Sequence, residues 1–232
     1  MKKFLFVFLF IYSTSLYSQN LQLHYDFGKS RDRNATDRGY FTSTFEMYKP
    51  DKLGSTFWFI DMDYSNTQKQ IGLAYMEFAR NFKIGKFPVQ PHVEFNGGVY
   101  FHNKVTPLSG GSISNAWLFG GALPLTLGKG SIEFQLMYKA ITYATKADGQ
   151  FTVVWFYPLF NGKVAFDGFL DFWSEDKFDH SEKKFVLLTE PQVWYTLNKT
   201  FAIGSEVEIS HNFIFMSKKT EIYPTLAMKW NF

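Results

Sequence analysis

Residues 225–232 read TLAMKWNF, with Leu226, Met228, Trp230 and Phe232 on one parity and Thr225, Ala227, Lys229 and Asn231 on the other. Successive strand side chains point to opposite faces, so an alternation running to an aromatic last residue describes a strand with one face in lipid and one in a lumen. The expectation is the closing strand of a transmembrane barrel. Function would then lie inside a tube.

The opposite end of the chain agrees with that reading. Met1, Lys2 and Lys3 precede an apolar run over 4–12, and 13–18 lead into a polar segment. This is the layout of a secretory signal peptide, so 1–18 is read as a cleaved leader, 19–232 as the barrel, and the bacterial outer membrane as the destination. The apolar run is too short to cross a bilayer as a helix. The chain has no cysteine, which excludes a lipid-anchored start, disulfides and thiolate metal sites.

Without Lys2 and Lys3, the 24 basic residues fall to 22 against 21 acidic ones. So balanced a chain offers no electrostatic footprint for a nucleic-acid polymer. Aromatics make up 20% of the residues, and no stretch after 18 is long and apolar enough for a membrane helix. Aromatics in that abundance fit lipid-facing strands and interfacial girdles.

The alternation carries back through the mature chain, broken at intervals by turn residues. Leu21, Leu23, Tyr25 and Phe27 mark the outward face of the first strand, and Trp58, Ile60, Met62 and Tyr64 that of the third. The sixth is read from Trp117, the tenth through Phe185, Leu187, Val193 and Tyr195, and the eleventh through Phe201, Ile203, Val207, Ile209 and Phe213. The sum is an all-β, antiparallel barrel of about twelve strands, an even number that leaves both termini periplasmic. Connector lengths support the parse. Long polar connectors at 28–38, 103–113 and 174–184 fall on the extracellular side, and short ones such as 128–130 and 161–162 on the periplasmic side.

Parity then assigns the lumen. Phe57, Phe59, Asp61 and Asp63 point inward from the third strand, and Asp167, Phe169, Asp171 and Trp173 from the ninth. Trp194, Glu77, Glu94, Glu206 and Glu208 share the inward face, as do Glu46, Glu133, Glu190 and Glu221, with Lys83, Lys139, Lys229, His24, His92 and His102 offsetting some of the charge. A net acidic lumen disfavours anions and passes small neutral or cationic solutes. Such carboxylates also pair with one another to hydrate a wall, so no single acid marks a binding site. Inward aromatics need either packing or a solute to stack on, and a plug formed by 28–38 would supply the packing.

Three stretches, FWFIDMD at 57–63, YMEFARNF at 75–82 and FYPLFNGKVAFDGFLDFW at 156–173, with KWNF at 229–232, resemble the Tsx-like nucleoside-specific channel-forming proteins of Gram-negative outer membranes. Phe57, Phe59 and Asp63 match that family's third-strand pattern, and Gly168, Phe169, Asp171 and Phe172 its ninth-strand pattern. On the next strand Met76, Glu77, Phe78 and Phe82 agree, whereas Ala79 stands where the family has a second Glu and Arg80 and Asn81 replace its Pro and Arg. The resemblance implies a monomeric twelve-stranded barrel with a narrow lumen, no cofactor, and aromatic and ionisable side chains that meet a nucleoside's base and ribose. Phe57, Phe59 and Phe169 would supply flat faces, and Asp61, Asp63, Glu77 and Asp171 the hydrogen bonds.

Two other classes compete with the channel. An outer-membrane lipid hydrolase would need a Ser and a His together, and Ser210 and His211 are adjacent, so they point to opposite faces. No two histidines fall at a close same-face spacing for a metal. A structural or docking barrel with a closed lumen would use its loops instead, with Lys29, Arg31, Arg33 and Arg38 meeting lipopolysaccharide phosphates. Phe232 in its outward position is the expected signal for the barrel-assembly machinery.

Overall fold

The terminal alternation becomes a seam. In the computed structural model, which describes residues 19–31, 38–65, 70–101, 110–177, 180–213 and 219–232, the first strand β1 (Gln19–Asp26) pairs antiparallel with the last, Thr220–Asn231. Leu21 faces Trp230, Leu23 faces Met228 and Tyr25 faces Leu226 on one surface, while Gln22 faces Lys229 and His24 faces Ala227 on the other. The leader read at 1–18, Arg33 and His102 lie outside the described residues.

Between the seam strands run β2 (Phe41–Asp51), β3 (Gly54–Ser65), β4 (Gln70–Phe82), β5 (Gln90–Phe101), β6 (Gly110–Leu127), β7 (Gly130–Ile141), β8 (Asp148–Leu159) and β9 (Val164–Asp176). Then come β10 (Lys183–Thr189), β11 (Gln192–Thr196), β12 (Phe201–His211) and β13 (Thr220–Asn231). Each pairs antiparallel with its neighbours and β13 returns to β1, so the sheet is closed and has no free edge. A single turn of helix, α1 (Gly28–Arg31), follows β1.

Thirteen strands make twelve staves, because β10 and β11 occupy the same place between β9 and β12. Pro191 separates them. It has no N–H to give to the ladder, yet register is kept across the gap: Thr189 pairs with Leu170 and Ile209, and Gln192 with Asp167 and Glu206. Beside the break Gly168 has φ +144°, and a Cβ there would lie 2.4 Å from the Glu190 carbonyl oxygen and 2.9 Å from Trp155 Cζ2. Only glycine lets the two backbones come so close.

Two readings at strand ends are corrected. β6 begins at Gly110, seven residues before Trp117, because the GGSI run at 110–113, read as the end of the 103–113 connector, pairs with β5 from Phe101 back to Gly98. Phe213 does not continue the outward face of β12. Asn212 takes φ +58°, which ends the strand and turns the Phe213 ring edge-on to the inward Trp173 at 5.9 Å.

The outer surface of the barrel is apolar. Met76, Phe78, Trp117, Phe119, Leu136, Tyr138, Leu226, Met228 and Trp230 are all exposed and all on the outward parity. Buried positions carry polar groups instead, among them Gln22, His24, His92, Glu94, Gln135 and Gln150. This inversion of a soluble protein's pattern is the one lipid demands.

Candidate functional site: a braced, acidic lumen

Three braces divide the lumen, and each joins staves that are not neighbours. Near the end that holds the termini, Asn81 on β4 donates through Nδ2 to both Glu133 oxygens on β7, at 3.1 and 3.0 Å. His92 Nδ1 lies 2.6 Å from Asn81 Oδ1 and its Nε2 3.2 Å from Glu94 Oε2, while Gln135 Nε2 donates to Glu133 at 2.7 Å. The bridge passes in front of β5 and β6 and shuts them off. Glu94 is therefore buried in a polar network rather than open to a solute.

The second brace is Trp194 on β11, only 2% exposed among Ala165, Ala202 and Ala227. Its ring carries Lys229 Nζ 4.0 Å above its centre and His24 edge-on at 5.9 Å, and its N–H donates to Gln192 at 2.8 Å. Lys229 also lies 3.9 Å from Asp167. Trp173 is treated alike, under Lys139 Nζ at 4.5 Å, with its N–H donating to Glu175 at 2.8 Å. Both tryptophans face inward and both are packed.

The third brace closes on the far mouth. Arg38 reaches from the segment before β2 to Glu208 on β12 and Asp26 on β1. Burial alone would lower its pKa; Glu208, Tyr40 and Asp26 outweigh that and raise it, so the guanidinium stays charged.

What the braces leave open lies between β3–β4 and β8–β9, on opposite sides of the twelve-stave ring. Phe57, Phe59, Asp61 and Asp63 on β3, with Glu77 on β4, face inward and keep part of their surface accessible. Phe169, Asp171 and Asp167 do the same on β9. Phe59 stands 5.9 Å from Phe57 and 6.1 Å from Tyr75, making a continuous aromatic strip. Val154 and Phe156 pair with Phe169 and Asp167, and although inward they are 39% and 45% exposed, so among the described residues none fills the lumen in front of them.

Carboxylates line the same cleft. Thr42 donates to Asp63 at 2.6 Å, Tyr75 to Glu77 at 2.7 Å, Gln192 to Glu206 at 2.6 Å, and Thr152 hydrogen-bonds Asp171. Glu77 and Asp171 lie close enough across the lumen to interact, and so do Asp61 and Glu206. Asp61 Oδ1 is buried without a hydrogen-bond partner. At the terminus end, beside the Asn81–Glu133 bridge, a separate recess of about 200 Å³ lies between Tyr48, Asp51, Lys83 and Glu133. Among the described residues no three His, Asp or Glu side chains are arranged to hold a metal.

Several of these groups escape a sequence-only reading. Tyr75 and Phe156 sit on the inward parity and were reachable by it. The Asn81–Glu133 bridge and Arg38 carry no local signal, because their partners are 52 and 170 residues away. Ser210 is buried and donates to Glu208 at 3.1 Å, while the His211 ring lies 3.2 Å from Thr220 Oγ1 on the other face, so the two form no dyad.

Closed antiparallel staves, an apolar exterior and a polar interior define an outer-membrane type of β-barrel. The chain belongs to the family described as Domain of unknown function (DUF5020), which matches residues 18–232. Its fold is similar to that of outer membrane phospholipase A from Escherichia coli, at 11% identity over 92% of this chain and 95% of that one, with a TM-score of 0.50. A looser likeness, with a TM-score of 0.41, is to Pseudomonas aeruginosa OccK5 (OpdH), at 8% identity over 91% of this chain and 62% of that one. No curated protein matches the chain.

Proposed function

We propose that the protein is a monomeric, non-enzymatic channel of the bacterial outer membrane that admits small neutral or cationic solutes carrying a flat ring. The supporting observation is the unfilled cleft itself: accessible aromatics at Phe57, Phe59, Phe169 and Phe156 stand among Asp61, Asp63, Glu77 and Asp171. Flat apolar faces suit a ring and carboxylates suit its hydroxyl or amino groups, and partial exposure keeps binding weak enough for release. Nucleosides have both features and are the class implied by the resemblance at 57–63 and 156–173. Phe232 in this reading guides insertion by the barrel-assembly machinery.

Liposome swelling across nucleosides, sugars and amino acids tests the proposal, together with planar-bilayer currents. A cation-preferring current that millimolar nucleoside partly blocks is expected, with the block weakened by Phe57→Ala and Phe59→Ala. Normal current without block removes the nucleoside and leaves the channel. A folded barrel that passes no solute favours the second reading, a structural or docking barrel whose loops meet lipopolysaccharide, for which the three braces speak.

A further inference from the structure

One polar assembly at the far mouth has no part in that cleft. The Arg38 guanidinium donates through Nη2 to Glu208 at 2.8 and 3.1 Å and through Nη1 to Asp26 Oδ2 at 3.0 Å. Its central carbon lies 3.8 Å over the Tyr223 ring, and the Tyr40 hydroxyl is 3.4 Å from Nη1. The cage walls have supports of their own. Asp26 accepts the Gly28 N–H at 2.5 Å, and Glu208 accepts the Ser210 hydroxyl at 3.1 Å. Asp26 and Glu208 are only 6% and 13% exposed. Two carboxylates that take separate nitrogens of one flat group, Glu208 on Nη2 and Asp26 on Nη1, above an aromatic face are what a planar cation selects, in preference to a spherical one.

We infer that this cage is a cation-recognition site whose resident is the chain's own Arg38, and that small solutes bearing a guanidinium group exchange with it at the far mouth. Beyond the cage Tyr40 stands beside Asp63, and Asp61 follows on the same face of β3, so a displaced Arg38 gives way to a descending row of carboxylates. The exchange rests on the channel reading, whereas occupancy of the cage by a planar cation does not.

Arg38→Ala separates the two. It vacates the cage and leaves Asp26, Glu208 and Tyr223 in place. In detergent micelles, low-millimolar guanidinium chloride should raise the unfolding temperature of Arg38→Ala above that in equal sodium chloride, because a ligand stabilises the fold it binds, and the parent should respond only at concentrations at least about tenfold higher, because there the guest must first displace Arg38. Adding Glu208→Gln should raise the concentration needed about tenfold, since half of the charged pairing is lost. In bilayers Arg38→Ala should gain at least about twofold in cation over anion permeability, and guanidinium should return it toward the parent. If Arg38→Ala does not fold, as read by heat-modifiable gel migration, Arg38→Gln takes its place with the same readouts. Guanidinium and sodium acting alike on the folded variant would overturn the inference. Guanidinium-specific stabilisation without any current would keep the cage and overturn the channel.

Discussion

Trp194→Ala asks whether the lumen behind the second brace is wet, and its cost can be worked from the contacts. The ring lies over Gly204, where a Cβ would come within 2.4 Å of Cε3, and it is 2% exposed. Truncating a tryptophan in a dry core costs about 3–5 kcal/mol. The named contacts account for part of that: about 0.5–2 kcal/mol for Lys229 over the ring and about 0.5–1.5 kcal/mol for the N–H to Gln192. The vacated space, however, is lined by His24, Gln192 and Lys229, so it can take several waters at about 30 Å³ each. Water restores much of what a dry cavity loses. The expected loss is therefore about 2–3 kcal/mol, read as a shift of the urea midpoint at unchanged slope, with the folded fraction followed by gel migration. Single-channel conductance should rise, because Lys229 is freed and the cross-section grows beside Asp167. A loss near 5 kcal/mol with conductance unchanged would refute this reasoning and identify a dry, closed interior.

Other substitutions probe separate parts of the structure. Asn81→Leu leaves His92 Nδ1 and one side of Glu133 without their partner and should cost about 2–3 kcal/mol in urea titrations, whereas Glu133→Gln, which still accepts from Asn81, should cost less than about 1 kcal/mol. Gly54→Ala places a Cβ 1.9 Å from the Asn81 carbonyl oxygen at φ +143°, so a loss above about 2 kcal/mol or failure to refold is expected in the same assay. Phe232→Ser removes the ring that stacks on Phe45 at 5.8 Å; the amount of folded barrel recovered from outer membranes should fall, while protein refolded from urea should still show folded migration. Equal recovery of Phe232→Ser and parent would sink the assembly role.

The staves were legible from parity because alternation is a property of each strand's own backbone and needs no partner. Phe57 to Asp63 and Asp167 to Asp171 could be placed inward by counting back from Phe232. The tenth stave also read through correctly, since Pro191 interrupts hydrogen bonding without shifting register. Local geometry failed where backbone torsion departs from the strand region, as at Asn212, which takes Phe213 off its expected face. It failed again at 110–113, the end of the expected connector, where small residues mimic a turn but still pair with β5.

Within the lumen the limit is different. Residues of one inward parity look alike in sequence, yet Trp194 is packed under Lys229, Glu94 is tied to His92, and Phe156 faces open space. By itself the sequence determined an even-staved antiparallel barrel with a lipid-facing and a lumen-facing side, because a two-residue period and its turns are written residue by residue. Only the tertiary structure decided which inward groups brace the lumen and which line its cleft, because Asn81 with Glu133, Trp194 with Lys229 and Arg38 with Glu208 meet only after the ring has closed.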